Sequence, residues 1–262
     1  MGAPAHLAVR PLIYGLTSNR YDDVDLVYDE PGRVASALSA GSVDAALVPS
    51  IEYLRGVGRH VVGGPALVAR GGTPSLVLVA QKDVAEIERI AVNQHCRTPV
   101  AVLRIVLDRL HGVLPDLCVL KGQPEWKKEF DGILLAGDRG LDYLARRAAG
   151  HDIRYDLGEM WQSLFSVPLV LSLWAYNDER LGDRLAEVLT DSRNFGMSNL
   201  SLLADGVSRT CAHDSQLLYN YYSQVWSYDL GRQEKEGLGA LEESALEYHL
   251  IQHPRREKLV TG

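Results

Sequence analysis

The sequence predicts an α/β protein built as two lobes, and three observations carry that expectation. Short apolar runs alternate with amphipathic stretches through the first half of the chain. Prolines stand at the starts of helical stretches, directly after strand-like runs, and the end of the chain is almost wholly helical in pattern. Repeated β-α units followed by terminal helices suggest two lobes, with the last helices returning to cover the first.

Taken in order, Val24 to Tyr28 alternates with period two and predicts a strand. Pro31 then opens a helix, because its fixed φ is helical and its missing N–H is not needed in a first turn. Val34, Leu38 and small alanines give that helix one apolar face, and Gly41 ends it. A strand over Asp44 to Val48 follows, and Pro49-Ser50 restarts a helix carrying Ile51, Tyr53 and Leu54. The apolar runs Ala66 to Ala69 and Ser75 to Ala80 predict strands, separated by Arg70-Gly71-Gly72-Thr73-Pro74, a tight turn or functional loop.

A second unit begins with a strand at Arg89 to Val92 and enters a helix from Pro99 to about Gly112, with Thr98 expected as its N-cap. Strands at Leu117 to Leu120 and Gly132 to Ala136 precede a helix over Leu141 to Ala149. From Leu157 the pattern is helix, then a strand at Pro168 to Ala175. Helices follow at Arg180 to Asp191, Leu200 to Val207, Gln216 to Tyr228 and Gly237 to Tyr248. The expected division is 1–80 with 177–262 as one lobe and 81–176 as the other, with a ligand cleft between them, where strand ends and helix N-termini converge.

Composition narrows the functional classes. The 262 residues carry 27 basic and 34 acidic side chains, a formal charge of −7, with 46% apolar residues. A pI near 5.6 and no basic block beyond the tail Arg255-Arg256-Glu257-Lys258 argue against a nucleic-acid partner. The longest apolar runs fall far short of the roughly 20 residues a bilayer span needs, so no membrane partner is expected. Cys96, Cys118 and Cys211 are widely spaced and odd in number, which favours a reducing compartment over a disulfide framework or zinc knuckle. The N-terminus shows no basic-then-apolar signal pattern, and a cytoplasmic location is expected. The scattered histidines include no HxH or HExxH spacing, so no metal is expected. GxSxG, GxxxxGK[ST] and GxGxxG are missing, against hydrolase, P-loop and dinucleotide-dependent chemistry.

What remains points to a small anionic metabolite. Arg97-Thr98 stand at a helix N-terminus, where free N–H groups and a partial positive charge favour a carboxylate or phosphate, unless Thr98 only caps its helix. Gly71 to Ser75 offer backbone donors and two hydroxyls, or form a plain hairpin connection. Asp138, after a buried strand and Gly137, either faces a cleft or caps the next helix. His95 beside Cys96 is the only suggestive pair for a nucleophile or base.

The order of segments resembles the menaquinone-biosynthesis family of the futalosine route. The resemblance is carried by Pro11 to Leu16, Val27-Tyr28-Asp29 with Pro31, and above all Ala40-Gly41 through Pro49-Ser50-Ile51-Glu52-Tyr53. Ser75, Arg97-Thr98, Leu134 to Asp138, Asp156 to Trp161 and Pro168 to Ala175 continue it in the same order, over roughly residues 6 to 176. Among the family's branches the chain is most similar to the chorismate dehydratases, which remove water from chorismate to give 3-[(1-carboxyvinyl)oxy]benzoate. The resemblance implies a type II periplasmic-binding-protein-like fold and a cofactor-free lyase. It implies Ser75 as the catalytic hydroxyl, with Thr98, Arg97, Ser50, Gly72, Asp138 and Ala8 binding substrate. Ala8 stands where the family's Tyr-Leu-Asn-x-x-Pro-Leu motif has Asn, within His6-Leu7-Ala8-Val9-Arg10-Pro11-Leu12. Pro99 and Phe165 replace two further polar positions, so the pocket is expected to be more apolar than the family's. The alternative is a diverged, non-catalytic binder of a less polar molecule, or an enzyme acting on another intermediate of the route.

Overall fold

The chain opens on a very short strand, β1 (Gly2–Ala3), then a 3-10 turn at Leu7–Val9 and a single-turn helix, α1 (Arg10–Ile13). β2 (Val27–Tyr28), α2 (Pro31–Ser39), β3 (Ala45–Pro49), α3 (Ser50–Leu54) and the long β4 (His60–Ala69) complete the first segment. The computed structural model describes residues 1–18, 20–120, 125–145 and 152–255. β5 (Leu76–Ala80), β6 (Arg89–Val92), α4 (Arg97–His111), β7 (Asp116–Val119), β8 (Gly132–Ala136), α5 (Asp138–Ala145) and β9 (Ile153–Asp156) form the second segment. The chain then runs through α6 (Leu157–Phe165), β10 (Leu169–Tyr176), α7 (Gly182–Ser198), α8 (Leu200–Ser208), α9 (Ser215–Asn220), β11 (Trp226–Leu230) and α10 (Arg232–Glu247). The tail from 256 and the last part of the helix expected over 141–149 lie outside the described residues.

These strands form two sheets, a six-stranded one ordered β11-β4-β10-β3-β1-β2 and a five-stranded one ordered β7-β6-β8-β5-β9. In the first, β1 lies between its parallel neighbours β2 and β3; in the second, β6 lies between parallel β7 and β8. Each sheet therefore has a point where the strand order reverses, and crevices open at the carboxyl ends of strands there. β5 pairs in the second sheet and β10 in the first, so the chain changes sheets at 70–75 and across 157–168. That differs from the expected boundaries at 80/81 and 176/177. An apolar run reports burial but not which of two buried sheets a strand joins.

The two crossings are tied together. Asp156 caps α6 by accepting from the N–H groups of Gly158 and Glu159, at 2.8 and 3.1 Å, while its other oxygen accepts from Thr73 N–H at 2.7 Å. Arg70 donates to the buried Glu234 of α10 at 2.8 and 3.1 Å. The Gly71-to-Ser75 loop is thus an anchored sheet-to-sheet crossing, not a hairpin.

The helix predicted over Gln216 to Tyr228 is broken. α9 ends at Asn220, a π-turn covers Tyr221–Val225, and β11 begins at Trp226. Trp226, Tyr228 and Leu230 are buried at every second position, and the strand docks antiparallel on the free edge of β4. Pairing with β4 overrides the local helical pattern there. The strand expected at Val24 to Tyr28 shrinks to an exposed edge pair, Val27–Tyr28, while Val24 and Leu26 just before it pack partly buried against the core without strand pairing.

Candidate functional site

A cleft opens between the two sheets, at the carboxyl ends of the strands flanking both reversal points. Pro4 and Pro31 line it after β1 and β2 and Pro49 at the end of β3, while His95, Cys96 and Arg97 follow β6 and Gly137 follows β8. Its walls are largely apolar: Ala8, Val9, Leu67, Leu76, Leu171 and Trp226 among others. The volume is about 90 Å³. Pockets that enclose a drug-sized ligand run to roughly 300–1,000 Å³, so a ring-sized occupant requires the walls to part.

The polar character of the cleft is concentrated at helix starts. Pro31 is the first residue of α2, Cys96 and Arg97 open the fifteen-residue α4, and Gly137 immediately precedes α5. Helix N-termini carry about half a positive charge each, and here several face one small volume. His6, His95 and Arg97 add imidazole and guanidinium groups to the same lining. His95 Nδ1 is buried without a hydrogen-bond partner, and a Cβ built on Gly32 would stand 3.2 Å from it. A glycine at position 32 is what lets α2 approach the His95 ring so closely. Cys96 is an unpromising nucleophile, since burial pushes its thiol up to about 11, helped by the nearby Glu30 charge.

The sequence-expected residues divide into those the cleft gathers and those it does not. Ser75, Arg97 and Ala8 line it. Ser75 is fully buried, and its Oγ lies 2.7 Å from the Tyr221 hydroxyl. Thr98 is also fully buried but is not among the lining residues. Its Oγ1 accepts from Ile51 N–H at 3.2 Å, joining α4 to the start of α3. Cys96, not Thr98, occupies the N-cap position, because the helix begins two residues earlier than Pro99 suggests. Ser50 lies buried with its hydroxyl unpartnered, and Gly72 packs on the Glu159 side chain; neither lines the cleft. Asp138 neither lines the cleft nor serves only its own helix. Its Oδ1 accepts from Leu7 N–H at 2.8 Å and stands 4.0 Å from His6 Nδ1, linking α5 to the first lobe. Phe165 packs against Trp161 in a tilted arrangement, ring centroids 4.2 Å apart, beneath Arg109, and is likewise not part of the lining.

Tyr221 is the residue the sequence did not point to. It sits in the π-turn that follows α9, packs edge-on against Trp226 at 5.9 Å, and reaches across to Ser75. Burial holds the phenols of Tyr221, Tyr222 and Tyr228 well above the usual tyrosine range, so all three stay protonated at neutral pH. No spacing rule links position 221 to position 75; only the return of the C-terminal segment to the first sheet joins them.

A family model described as menaquinone biosynthesis matches residues 1–247. The chain belongs to the menaquinone biosynthesis family. No curated protein matches it. Among solved structures, protein AF1704 from Archaeoglobus fulgidus is 16% identical with a TM-score of 0.77, over 95% of this chain and 97% of its own. The alkanesulfonate-binding protein SsuA from Xanthomonas axonopodis pv. citri, bound to MOPS, is 16% identical with a TM-score of 0.69, over 98% and 94%. The CA3427 gene product of Candida albicans, described as having the generic periplasmic binding protein fold, is 12% identical with a TM-score of 0.55, over 100% and 97%. The two-sheet architecture of this family member is accordingly the periplasmic-binding-protein-like fold.

Among the described residues no helix is long and apolar enough to cross a membrane, and no group of three or more His, Cys, Asp or Glu is arranged to hold a metal ion.

Proposed function

We propose that this protein is a chorismate dehydratase-type lyase that converts chorismate to 3-[(1-carboxyvinyl)oxy]benzoate and water. The observation that carries the reading is the convergence of helix N-termini with Arg97, His6 and His95 on an otherwise apolar interlobe cleft, in a member of the menaquinone biosynthesis family. A small ring bearing carboxylates fits that division of labour. The acid groups meet Arg97 and the helix N-termini, and the ring lies against Leu67, Leu171 and Trp226. The alkanesulfonate-binding protein of the same fold, bound to MOPS, offers a parallel for an organic anion in such a cleft.

The reaction breaks a ring C–H bond and the C–O bond of the ring hydroxyl, and the proton and hydroxide leave as water while the ring becomes aromatic. Aromatisation supplies the driving force, so positioning and charge stabilisation are the protein's main tasks. When Tyr221 donates to Ser75 Oγ, the Ser75 proton is directed at the departing hydroxyl, and the substrate's own carboxylate or a water takes the ring proton. Arg97 holds a carboxylate; Thr98 and Asp138 keep α4 and α5 in place around it.

A second reading, a non-catalytic relative that binds a less polar molecule, is favoured by one observation. The Ser75 and Thr98 hydroxyls are both engaged inside the protein, in a cleft where Ala8 offers no polar group. Incubation with chorismate, followed by chromatography and mass spectrometry of the enol ether, separates the readings. The enzyme account expects turnover that falls at least about a hundredfold in Ser75→Ala, the loss typical of a missing donor to developing charge. Neither turnover nor saturable binding of chorismate would overturn the lyase reading and favour the second, whereas saturable binding of chorismate with no product would contradict both.

A further inference from the structure

We propose that the outer flank of α4 forms a second binding site, for an elongated organic dianion whose two acid groups are separated by an apolar spacer. The site is a groove of about 230 Å³, distinct from the cleft although Arg97 borders both. Arg97 and Arg104 stand seven residues apart on one face of α4, two turns or about 10 Å along the axis. Between them the same face presents Val100 and Ala101, and Val119 of edge strand β7 lies across from it. Cation, apolar stretch, cation is the complement of acid, apolar spacer, acid.

The charge pattern supports a ligand over a merely solvated face. The chain carries 34 acidic side chains against 27 basic ones, yet no Asp or Glu lines the groove. Among the described residues neither Arg97 nor Arg104 joins a salt bridge, although nine other arginines do. Arg55 closes the groove from the first lobe. Its charge is met by Glu52 at 2.6 Å and its Nε donates to the Leu250 carbonyl at 3.1 Å, so it acts as a fixed wall and not as a third free cation. Asn93 and Gln94 border the Arg97 end; Asn93 Oδ1 accepts from His95 N–H at 2.8 Å and Gln94 Nε2 lies 3.2 Å from His95 Nε2, and the amide N–H donors left over suit a carboxylate. Guanidinium groups grip carboxylates through paired N–H donors, and a second anchored acid group binds at high effective concentration once the first is held.

Isothermal titration of the full chain at low ionic strength with suberate, and with octanoate as the single-acid control, tests the proposal. Suberate is expected to bind about tenfold or more tightly than octanoate, and Arg104→Gln to bring it down to octanoate's level. Ala8→Trp, which fills the interlobe cleft, is expected to leave the suberate advantage intact. Equal affinities of the two acids, absence of saturation by suberate, persistence of its advantage in Arg104→Gln or its loss in Ala8→Trp would each overturn the site. None of these outcomes depends on chorismate, so the test stands apart from the lyase reading.

Discussion

At the scale of single residues, the Ser75–Tyr221 contact is a buried polar pair that backs the cleft wall at Ser75. Ser75 is fully buried and Tyr221 nearly so, and each hydroxyl satisfies the other at 2.7 Å. A buried hydroxyl left without its partner costs about 1–3 kcal/mol, whereas removing both partners together is far less costly. Urea denaturation is therefore expected to show Tyr221→Phe and Ser75→Ala each destabilised by about 1–3 kcal/mol, with the double variant losing clearly less than the sum. Strict additivity would mean that the two hydroxyls do not interact. Half of this pair was legible in advance: Ser75 follows a Gly-Gly-Thr-Pro turn at the head of an apolar strand. Tyr221 was not, since it lies in an apparent helix, and its meaning depends on a π-turn and a strand that exist only because β4 offers a free edge.

At the scale of elements, the crossing loop and the two helices that clamp it decide how the lobes meet. A Cβ on Gly158, at the start of α6, would stand 2.2 Å from the Gly71 carbonyl, and one on Gly140 in α5 would stand 2.4 Å from the Ser75 carbonyl. Both helices press on the crossing through positions with no side chain. Gly158→Ala must push the crossing aside and is expected to cost about 1–3 kcal/mol, read as a lowered urea midpoint with an unchanged slope. An unchanged midpoint would show that the crossing yields freely. The helix starts at Pro31, Pro49 and near Pro99 were readable because proline is tolerated where no N–H is needed. Their convergence was readable only as a generic property of α/β sheets. Thr98 as a cap failed because α4 begins at Arg97 and leaves Cys96 at the cap position, and the hairpin alternative at 70–74 failed because the loop crosses between the two sheets. A hydroxyl or a turn is assigned locally by sequence, yet Thr98 is taken by Ile51 and the turn by Asp156, partners distant in the chain.

At the scale of the whole molecule, two sheets face each other across their reversal points, and charge separates along the cleft between them. Arg97 and the partial positive charge of helix N-termini lie at one part of the cleft, apolar walls form most of the remainder, and the carboxylate of Asp138 is spent on holding α5 to the first lobe. A cleft of about 90 Å³ admits a ring only if the walls move. Ligand binding and the relative position of the sheets are therefore linked in this account, and binding must stabilise the fold. The direct measurement is a thermal-shift titration of chorismate into the native chain, Arg97→Glu and Ala8→Trp, with circular dichroism verifying that all three are folded. A saturable rise in Tm is expected for the native chain and its disappearance in both variants. No rise in the native chain, or an equal rise in Ala8→Trp with its cleft filled, would contradict this reading of the cleft.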